Sequence, residues 1–421
     1  MLRRFFKEFH KRQFLISPDG SNLVFWNEMR TAGIWITKMP KQFAPKDILL
    51  YLCELIFRMR KFYYLLFLFT TFAFSQSTAE TNAIDITYLR GNILPHTDDL
   101  NHLITGHPTG IMACFTRQTH GEKEWERVYD NPDYGMYFLY QDFKNPILGN
   151  NYAVGTFYNF YFLQKKLMFK IAQGMAMTTN PHDNVTNSKN SAFGSALMAN
   201  TNFVLAYKKE NIFDRFGLQA GLIFTHFSNG RIKAPNSGIN TYNLSLGVNY
   251  CLDKNFKRTV DTTKIDLKFK EPIHYNFVVR SGVNESPIIG SGQHSFFHVG
   301  FYADKRLNRK SAIQLGTEVF FSNFYKDFIK YQSVAYPEQN LDPNTDYKRV
   351  GVFVGHELFI NRISLEAQIG YYVYQPYKYD IPVYDRLGMK YYLTKKVFTG
   401  ISIKTHVFLA EAMEFIVGVR I

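Results

Sequence analysis

The chain has 421 residues, with 49 Lys and Arg against 35 Asp and Glu, a formal net charge of +14. Half of this excess lies in the first 61 residues, which hold 12 basic and 5 acidic side chains. The remaining charge is moderate and gives no reason to expect binding to nucleic acid. Beyond the N-terminal region the only cysteines are Cys114 and Cys251, which excludes a disulfide framework.

Residues 59–75 have the pattern of a secretory signal peptide. Arg60 and Lys61 form a basic start, the run FYYLLFLFTTFAF is apolar, and Ala73 and Ser75 are small residues at the cleavage point. This run is shorter than the roughly 20 residues that a membrane-spanning helix needs. The sequence therefore predicts three segments: an N-terminal extension outside the mature protein (1–58), a cleaved signal peptide (59–75) and a mature barrel (76–421).

The mature chain consists of roughly ten-residue segments of alternating apolar and polar residues, separated by turn-rich breaks. Such segments, together with 28 Tyr, 40 Phe and no apolar run of helical length, are typical of an outer-membrane barrel. The segments are Ile84–Arg90, Ile111–Thr119, Tyr134–Phe143, Tyr152–Leu163, Leu167–Thr178, Ser195–Lys208, Phe216–Ser228, Tyr242–Leu252, His274–Val283, Ser295–Lys305, Ala312–Phe321, Arg349–Ile360, Ile363–Val373, Asp385–Leu393, Phe398–His406 and Ala412–Ile421. Because boundary errors can divide one strand into two, and bacterial single-chain barrels have even strand numbers, we predict an all-β transmembrane antiparallel barrel of about 14 strands, within about 12 to 16.

The seventh of these segments, Phe216–Ser228, ends in residues of types that often act in catalysis. Its apolar face, from Phe216 to Phe224, continues into His226 and Ser228, because side chains two residues apart share a face. In a membrane barrel this face is turned toward lipid. An imidazole and a hydroxyl at the end of such a face are accessible to an acyl chain.

A third polar residue, Asn240, is in phase with the apolar face of the next strand. A serine nucleophile needs a base, and the base needs a further group that fixes its tautomer. We therefore predict a catalytic site of Ser228 as nucleophile, His226 as base and Asn240 as the group that orients the imidazole. Asn229, Gly230 and Arg231 follow the serine directly and are predicted to supply donors to an oxyanion.

The motif His226-Phe227-Ser228-Asn229, followed by Pro235-Asn236-Ser237-Gly238-Ile239-Asn240, resembles the signature of the lipid A 3-O-deacylase (PagL-type, acyloxyacyl hydrolase) family. The resemblance implies an outer-membrane barrel with a lipid-facing Ser-His-acid triad. It assigns the base to His226 and the nucleophile to Ser228, and it puts Asn240 where the family has Glu. This chain therefore departs from the family at that position. The departure matters because Asn, unlike Glu, cannot stabilise an imidazolium by charge.

A second resemblance is to the outer-membrane phospholipase A family. It rests on the run His-x-Ser-Asn-Gly-Arg, which this chain matches from His226 to Arg231, and on an Asn as third member. That family uses calcium at a dimer interface, so the resemblance implies calcium and a homodimer. The composition of the triad and the length of the chain favour the phospholipase family, whereas the Pro-Asn stretch and the spacing of Asn240 favour the deacylase family.

Together these observations predict an esterase of the bacterial outer membrane whose substrate is lipid A or, as the alternative, phospholipid. The other alternative is a barrel without catalysis, either a pore or a structural protein. No zinc-like Cys/His spacing and no phosphate-binding glycine loop occurs in the sequence. We therefore expect no metal or cofactor, apart from calcium under the phospholipase alternative, and no nucleic-acid partner.

Overall fold

The computed structural model describes residues 81–253, 263, 265–266, 268–407 and 409–421. The predicted N-terminal extension and signal peptide lie outside these ranges. Within them, no helix is long and apolar enough to cross a membrane. All sixteen predicted segments form strands.

The strands are numbered in chain order. Their bounds are β1 Thr81–Leu94, β2 Thr109–Gln118, β3 Asp133–Asp142, β4 Asn150–Phe162, β5 Leu167–Thr178, β6 Leu197–Phe213, β7 Phe216–Ser228, β8 Ile239–Cys251, β9 His274–Glu285, β10 Gln293–Arg306, β11 Ser311–Ser322, β12 Arg349–Ile360, β13 Ile363–Tyr374, β14 Val383–Tyr392, β15 Val397–His406 and β16 Leu409–Arg420. Two α-helices, α1 Glu124–Val128 and α2 Phe324–Ala335, and two 3-10 turns, Asp98–Leu103 and Pro337–Gln339, lie in the connections.

The strands close into two antiparallel barrels of eight, β1–β8 and β9–β16. In the first, β1 pairs with β8, with Leu89 opposite Ser245. In the second, β9 pairs with β16, with Val279 opposite Val417. The prediction of a transmembrane antiparallel barrel fold is confirmed. The sixteen strands lie within the predicted range of 12 to 16 but exceed the preferred number of 14, and they form two barrels instead of one. The alternation of apolar and polar residues indicates which face of a strand each side chain is on. It does not indicate which strands pair to close a sheet, so the sequence did not predict the division into two barrels.

Both barrels carry apolar side chains on the outside. On β7 and β8, Leu222 is 56% exposed and Leu244 is 72% exposed, while the intervening Ile223 and Asn243 are buried in the lumen. Large apolar side chains on the outside of a closed barrel are stable only where lipid covers them. The outward face of β7 is therefore the lipid-facing one, as the sequence predicted.

Both lumens are filled with side chains, as expected for barrels of eight strands. The first holds an apolar cluster that includes Leu139, Phe157 and Phe227. The second holds aromatic residues such as Tyr302 and Tyr384 among buried charged groups.

The two barrels also contact one another through their ends. We call the end of each barrel that lies near Ser228 the site end. There, residues 229–238, which connect β7 to β8 and are called the site loop below, contact β9, β10 and α2 of the second barrel. At the opposite end, the Tyr129 hydroxyl donates a hydrogen bond to Phe359 O at 2.7 Å.

Candidate active site

The pairing of β7 with β8 brings two of the predicted site residues side by side. His226 lies directly opposite Asn240 in the antiparallel register, and both side chains are on the outward face of the sheet. Ser228 follows two residues later on the same face and is 8% exposed. The structure therefore brings His226, Ser228 and Asn240 to one place, at the end of the apolar outer surface of β7.

His226 and Asn240 are joined by a hydrogen bond of 2.6 Å between Nδ1 and Oδ1. An amide oxygen only accepts, so Nδ1 carries the hydrogen in this arrangement. In the neutral ring Nε2 then has a free lone pair. His226 is held in the tautomer that a general base requires.

His96 is a residue of this site that the sequence did not reveal. Its Nδ1 lies 3.2 Å from Asn240 Nδ2, and its Nε2 lies 2.8 Å from Ser237 O. His96 follows β1, which pairs with β8 so that Leu94 is opposite Asn240. Only the closure of the first barrel brings it here, and no local sequence signal indicates that closure.

The Ser228 hydroxyl contacts the site loop. Its Oγ accepts hydrogen bonds from Gly230 N at 3.0 Å and from Asn236 Nδ2 at 2.9 Å. Asn236 Oδ1 is 3.2 Å from the same oxygen. His226 is not among its hydrogen-bond partners in the described part of the chain, and such bonds often form only when substrate is bound.

The three residues predicted to serve an oxyanion have different surroundings. Gly230 points its N–H at Ser228 Oγ, so this donor lies beside the hydroxyl that was predicted to react. The Asn229 N–H is already bonded to Asn236 Oδ1 at 2.8 Å. The Arg231 guanidinium lies over the Phe324 ring, 5.5 Å from its centroid, and is turned toward the second barrel rather than toward Ser228.

Gly238 lies close to both Ser228 and His226. Its φ is +70°, a conformation that favours glycine. A Cβ at this position would lie 3.3 Å from Ser228 Cβ and 3.4 Å from His226 Cε1. The side chains of Ser228 and His226 therefore both lie next to a residue that has no side chain.

The second barrel holds the site loop in place. Buried Glu285 accepts a hydrogen bond from Ala234 N at 2.7 Å, and its own N–H donates to Arg231 O at 3.1 Å. Gln293 Nε2 donates to Ile232 O at 2.9 Å. Hydrogen bonds with the second barrel therefore hold the loop backbone at Arg231, Ile232 and Ala234.

The first barrel holds the other end of the loop. Ser237 Oγ donates a hydrogen bond to Asp99 Oδ2 at 2.5 Å, and Ser191 Oγ donates to Asp99 O at 2.9 Å. Partial burial raises the pKa of Asp99, but hydrogen bonds from Ser237 and Thr97 outweigh it and lower the pKa from its usual value. Asp99 is therefore an ionised acceptor for the loop at neutral pH.

One group of possible metal ligands occurs in the described residues, at the site end of the second lumen. Ligand atoms of Asp380, His406 and Glu411 lie within 4.8 Å of one another. Arg349 and Lys404 both form ion pairs with Glu411, and burial together with the charge of Glu411 raises the pKa of Asp380. These cations already neutralise the group. The prediction that the site near Ser228 uses no metal remains a prediction, as do the calcium and homodimer alternatives.

Comparisons with known proteins agree with the sequence motif. Residues 109–249 match the family model for lipid A 3-O-deacylase (PagL), and residues 273–421 match that for the acyloxyacyl hydrolase C-terminal domain. The two matches correspond to the two barrels. No curated protein sequence matches the chain.

Solved structures that align with the chain do so at low similarity. Neisserial surface protein A (NspA) aligns at 10% identity and a TM-score of 0.23, over 41% of this chain and 97% of its own. A mutant of the Rh. blastica porin aligns at 9% identity and a TM-score of 0.17, over 81% and 98%. Omp33 of Acinetobacter baumannii aligns at 7% identity and a TM-score of 0.15, over 82% and 99%.

With TM-scores this low, the fold assignment depends on the strand pairing and on the two family models, which together cover most of the chain. They confirm the resemblance stated from the motif and the predicted location in the outer membrane. The chain belongs to the PagL family of lipid A 3-O-deacylases.

Proposed function

We propose that this protein removes an acyl chain from lipid A with Ser228 as nucleophile, His226 as base and Asn240 as the residue that orients the base. The observation that carries this proposal is the 2.6 Å hydrogen bond between His226 Nδ1 and Asn240 Oδ1 on the lipid-facing surface, two residues from Ser228. An ester in the membrane can reach this surface without entering either lumen.

In the proposed reaction the Ser228 hydroxyl turns from Asn236 to His226 and gives its proton to Nε2. Oγ bonds to the ester carbonyl carbon, and the Gly230 N–H stabilises the charge that develops on the carbonyl oxygen. The ester C–O bond then breaks, and the proton on Nε2 passes to the leaving oxygen, which becomes a hydroxyl of the sugar. Water, activated by the same imidazole, hydrolyses the acyl-enzyme and releases a fatty acid.

Asn240 makes this triad neutral. An Asn in this place orients the imidazole, as it does in Cys-His-Asn proteases, but adds no charge to stabilise the imidazolium. The departure from the family's Glu is therefore expected to lower the rate and not to remove the reaction. The apolar residues on β7 and β8 next to His226, such as Phe224 and Tyr242, provide a surface for the acyl chain.

Mass spectrometry of lipid A and of phospholipids, from cells with the protein and from cells with Ser228→Ala, tests the proposal. We expect a lipid A species that has lost one acyl chain only in the presence of the unaltered protein. The matched control is Ser245→Ala on β8, a serine buried in the lumen, which should leave deacylation in place.

Two outcomes would contradict the proposal. Loss of acyl chains from phospholipid alone would favour the phospholipase alternative. Unchanged acylation of both lipids would favour a barrel without catalysis. The packed lumens of both barrels argue against a passive pore, since eight strands leave an interior that side chains fill.

A further inference from the structure

We infer that His96 is a positioning residue, which selects the orientation of the Asn240 amide and through it the tautomer of His226. The inference rests on the proposed function of this site. It concerns a consequence of having an amide where the family has a carboxylate. His96 contacts neither the nucleophile nor the base through a hydrogen bond in the described residues.

An amide must be oriented in a way that a carboxylate need not be. Both oxygens of a carboxylate accept, so either one can receive His226 Nδ1–H. The Asn240 side chain has one accepting end and one donating end. If it were reversed, its NH2 group would face His226 Nδ1, which would then be the acceptor, and the hydrogen of the neutral ring would be on Nε2. A base in that tautomer cannot take the proton of Ser228.

The orientation of the Asn240 amide follows from the carbonyl oxygen of Ser237, which can accept a hydrogen bond but cannot donate one. Ser237 O can only accept a hydrogen bond, so His96 Nε2, 2.8 Å away, carries a hydrogen. In the neutral ring His96 Nδ1 is then an acceptor. The group that faces it at 3.2 Å must be the NH2 of Asn240. This leaves Asn240 Oδ1 to face His226.

The chain of hydrogen bonds therefore runs in one direction, from His226 Nδ1–H to Asn240, from Asn240 to His96 and from His96 to Ser237 O. Each of these three hydrogen bonds has one donor and one acceptor. The ring of His96 is exposed, so its substitution removes a hydrogen-bond partner without opening a cavity in either barrel.

The test compares His96→Ala in two backgrounds of the full-length protein, with a lipid A substrate in detergent micelles. In the natural background we expect kcat to fall about tenfold with KM unchanged, the size of one lost hydrogen bond. In Asn240→Asp, where no amide has to be oriented, His96→Ala should change kcat by less than about twofold. A merely structural role for His96 would lower the rate equally in both backgrounds.

His102→Ala is the matched control. His102 lies in the same connection, is also exposed, and also places Nε2 against a backbone carbonyl, Lys189 O, at 2.7 Å. It does not contact Asn240, so kcat should stay at the level of the unaltered protein. An equal loss in His96→Ala and His102→Ala would overturn the inference.

Nitrogen-15 NMR of the histidine rings in the detergent-solubilised full chain gives a second measurement that does not depend on rate. We expect His226 to carry its hydrogen on Nδ1 in the unaltered protein and to become a mixture of tautomers in His96→Ala. Unaltered kcat and an unaltered His226 tautomer would overturn the inference while the proposed function stands. A protein without activity on any lipid would overturn the proposed function itself and the positioning role with it.

Discussion

The two barrels are alike on the outside and different inside. The lumen of the first is packed mainly with apolar and amide side chains, such as Leu139, Phe157 and Asn200. The lumen of the second contains a network of buried charges. Its members are Arg280, Glu318, Arg349, Glu357, Glu366, Arg386, Lys390, Lys404, Glu411 and Glu414.

The network in the second lumen is closely paired. Arg386 lies 2.7 Å from Glu318 and 2.7 Å from Glu414, and Lys390 lies 2.6 Å from Glu366. The contrast shows that lipid constrains the outer face of each barrel, whereas the lumen has only to be filled and electrostatically satisfied. The predicted chemistry uses neither lumen, since it lies on the outer face of the first barrel.

The largest effect on stability is expected where the charge network is broken. Arg386→Met leaves Glu318 and Glu414 without one of their cations, and removing one partner of a buried ion pair costs about 3–5 kcal/mol. Urea unfolding of the protein in detergent measures this loss. Lys144→Ala, which removes an exposed pair with Asp142 at 2.6 Å, should give no measurable change. Equal midpoints for the two variants would show that the network does not stabilise the second barrel.

Asn240→Ala tests whether the chemistry belongs to the outside of the first barrel. The variant removes the acceptor of His226 Nδ1–H and frees the imidazole to rotate, so we expect kcat to fall about ten- to hundredfold. The urea midpoint should stay unchanged because the side chain lies at the lipid surface. Asn243→Ala, on the same strand but in the lumen beside Thr241, should lower the midpoint and leave kcat in place. The reverse pattern would contradict the assignment of Asn240 to the site.

The smallest effect is expected at the border between the barrels. Gly230 has a φ of +62°, and a Cβ there would lie 2.8 Å from Met413 Cβ on β16. Gly290 has a φ of +78° and nothing within 4 Å, so Gly290→Ala carries only the cost of the backbone conformation. The excess destabilisation of Gly230→Ala over Gly290→Ala should be about 1 kcal/mol, with a severalfold lower kcat. Equal destabilisation by Gly230→Ala and Gly290→Ala would mean that contact with Met413 of the second barrel does not restrict the site loop at Gly230.

The strand pattern and part of the site were predictable from the sequence because both depend on local periodicity. Alternation identified all sixteen segments, although 14 strands were preferred. Period two put His226 and Ser228 on one face and Asn240 on the apolar face of the next strand, and the structure pairs Asn240 with His226. The closure of two separate sheets depends on pairing between distant strands, which alternation does not encode. For the same reason His96 was missed, and Arg231 was expected beside Ser228 although its side chain is turned toward Phe324.

Because each barrel is closed by its own first and last strands, the two halves can assemble one after the other. Every strand that the first barrel needs precedes Leu252, and the second barrel begins only at His274. Each closing step joins the ends of about half the chain, which costs roughly 0.6 kcal/mol less in loop entropy than closing one sheet of twice the length. The first barrel can therefore be complete, with Ser228 already at the end of its outer face, while the strands that will hold the site loop are still being inserted into the membrane.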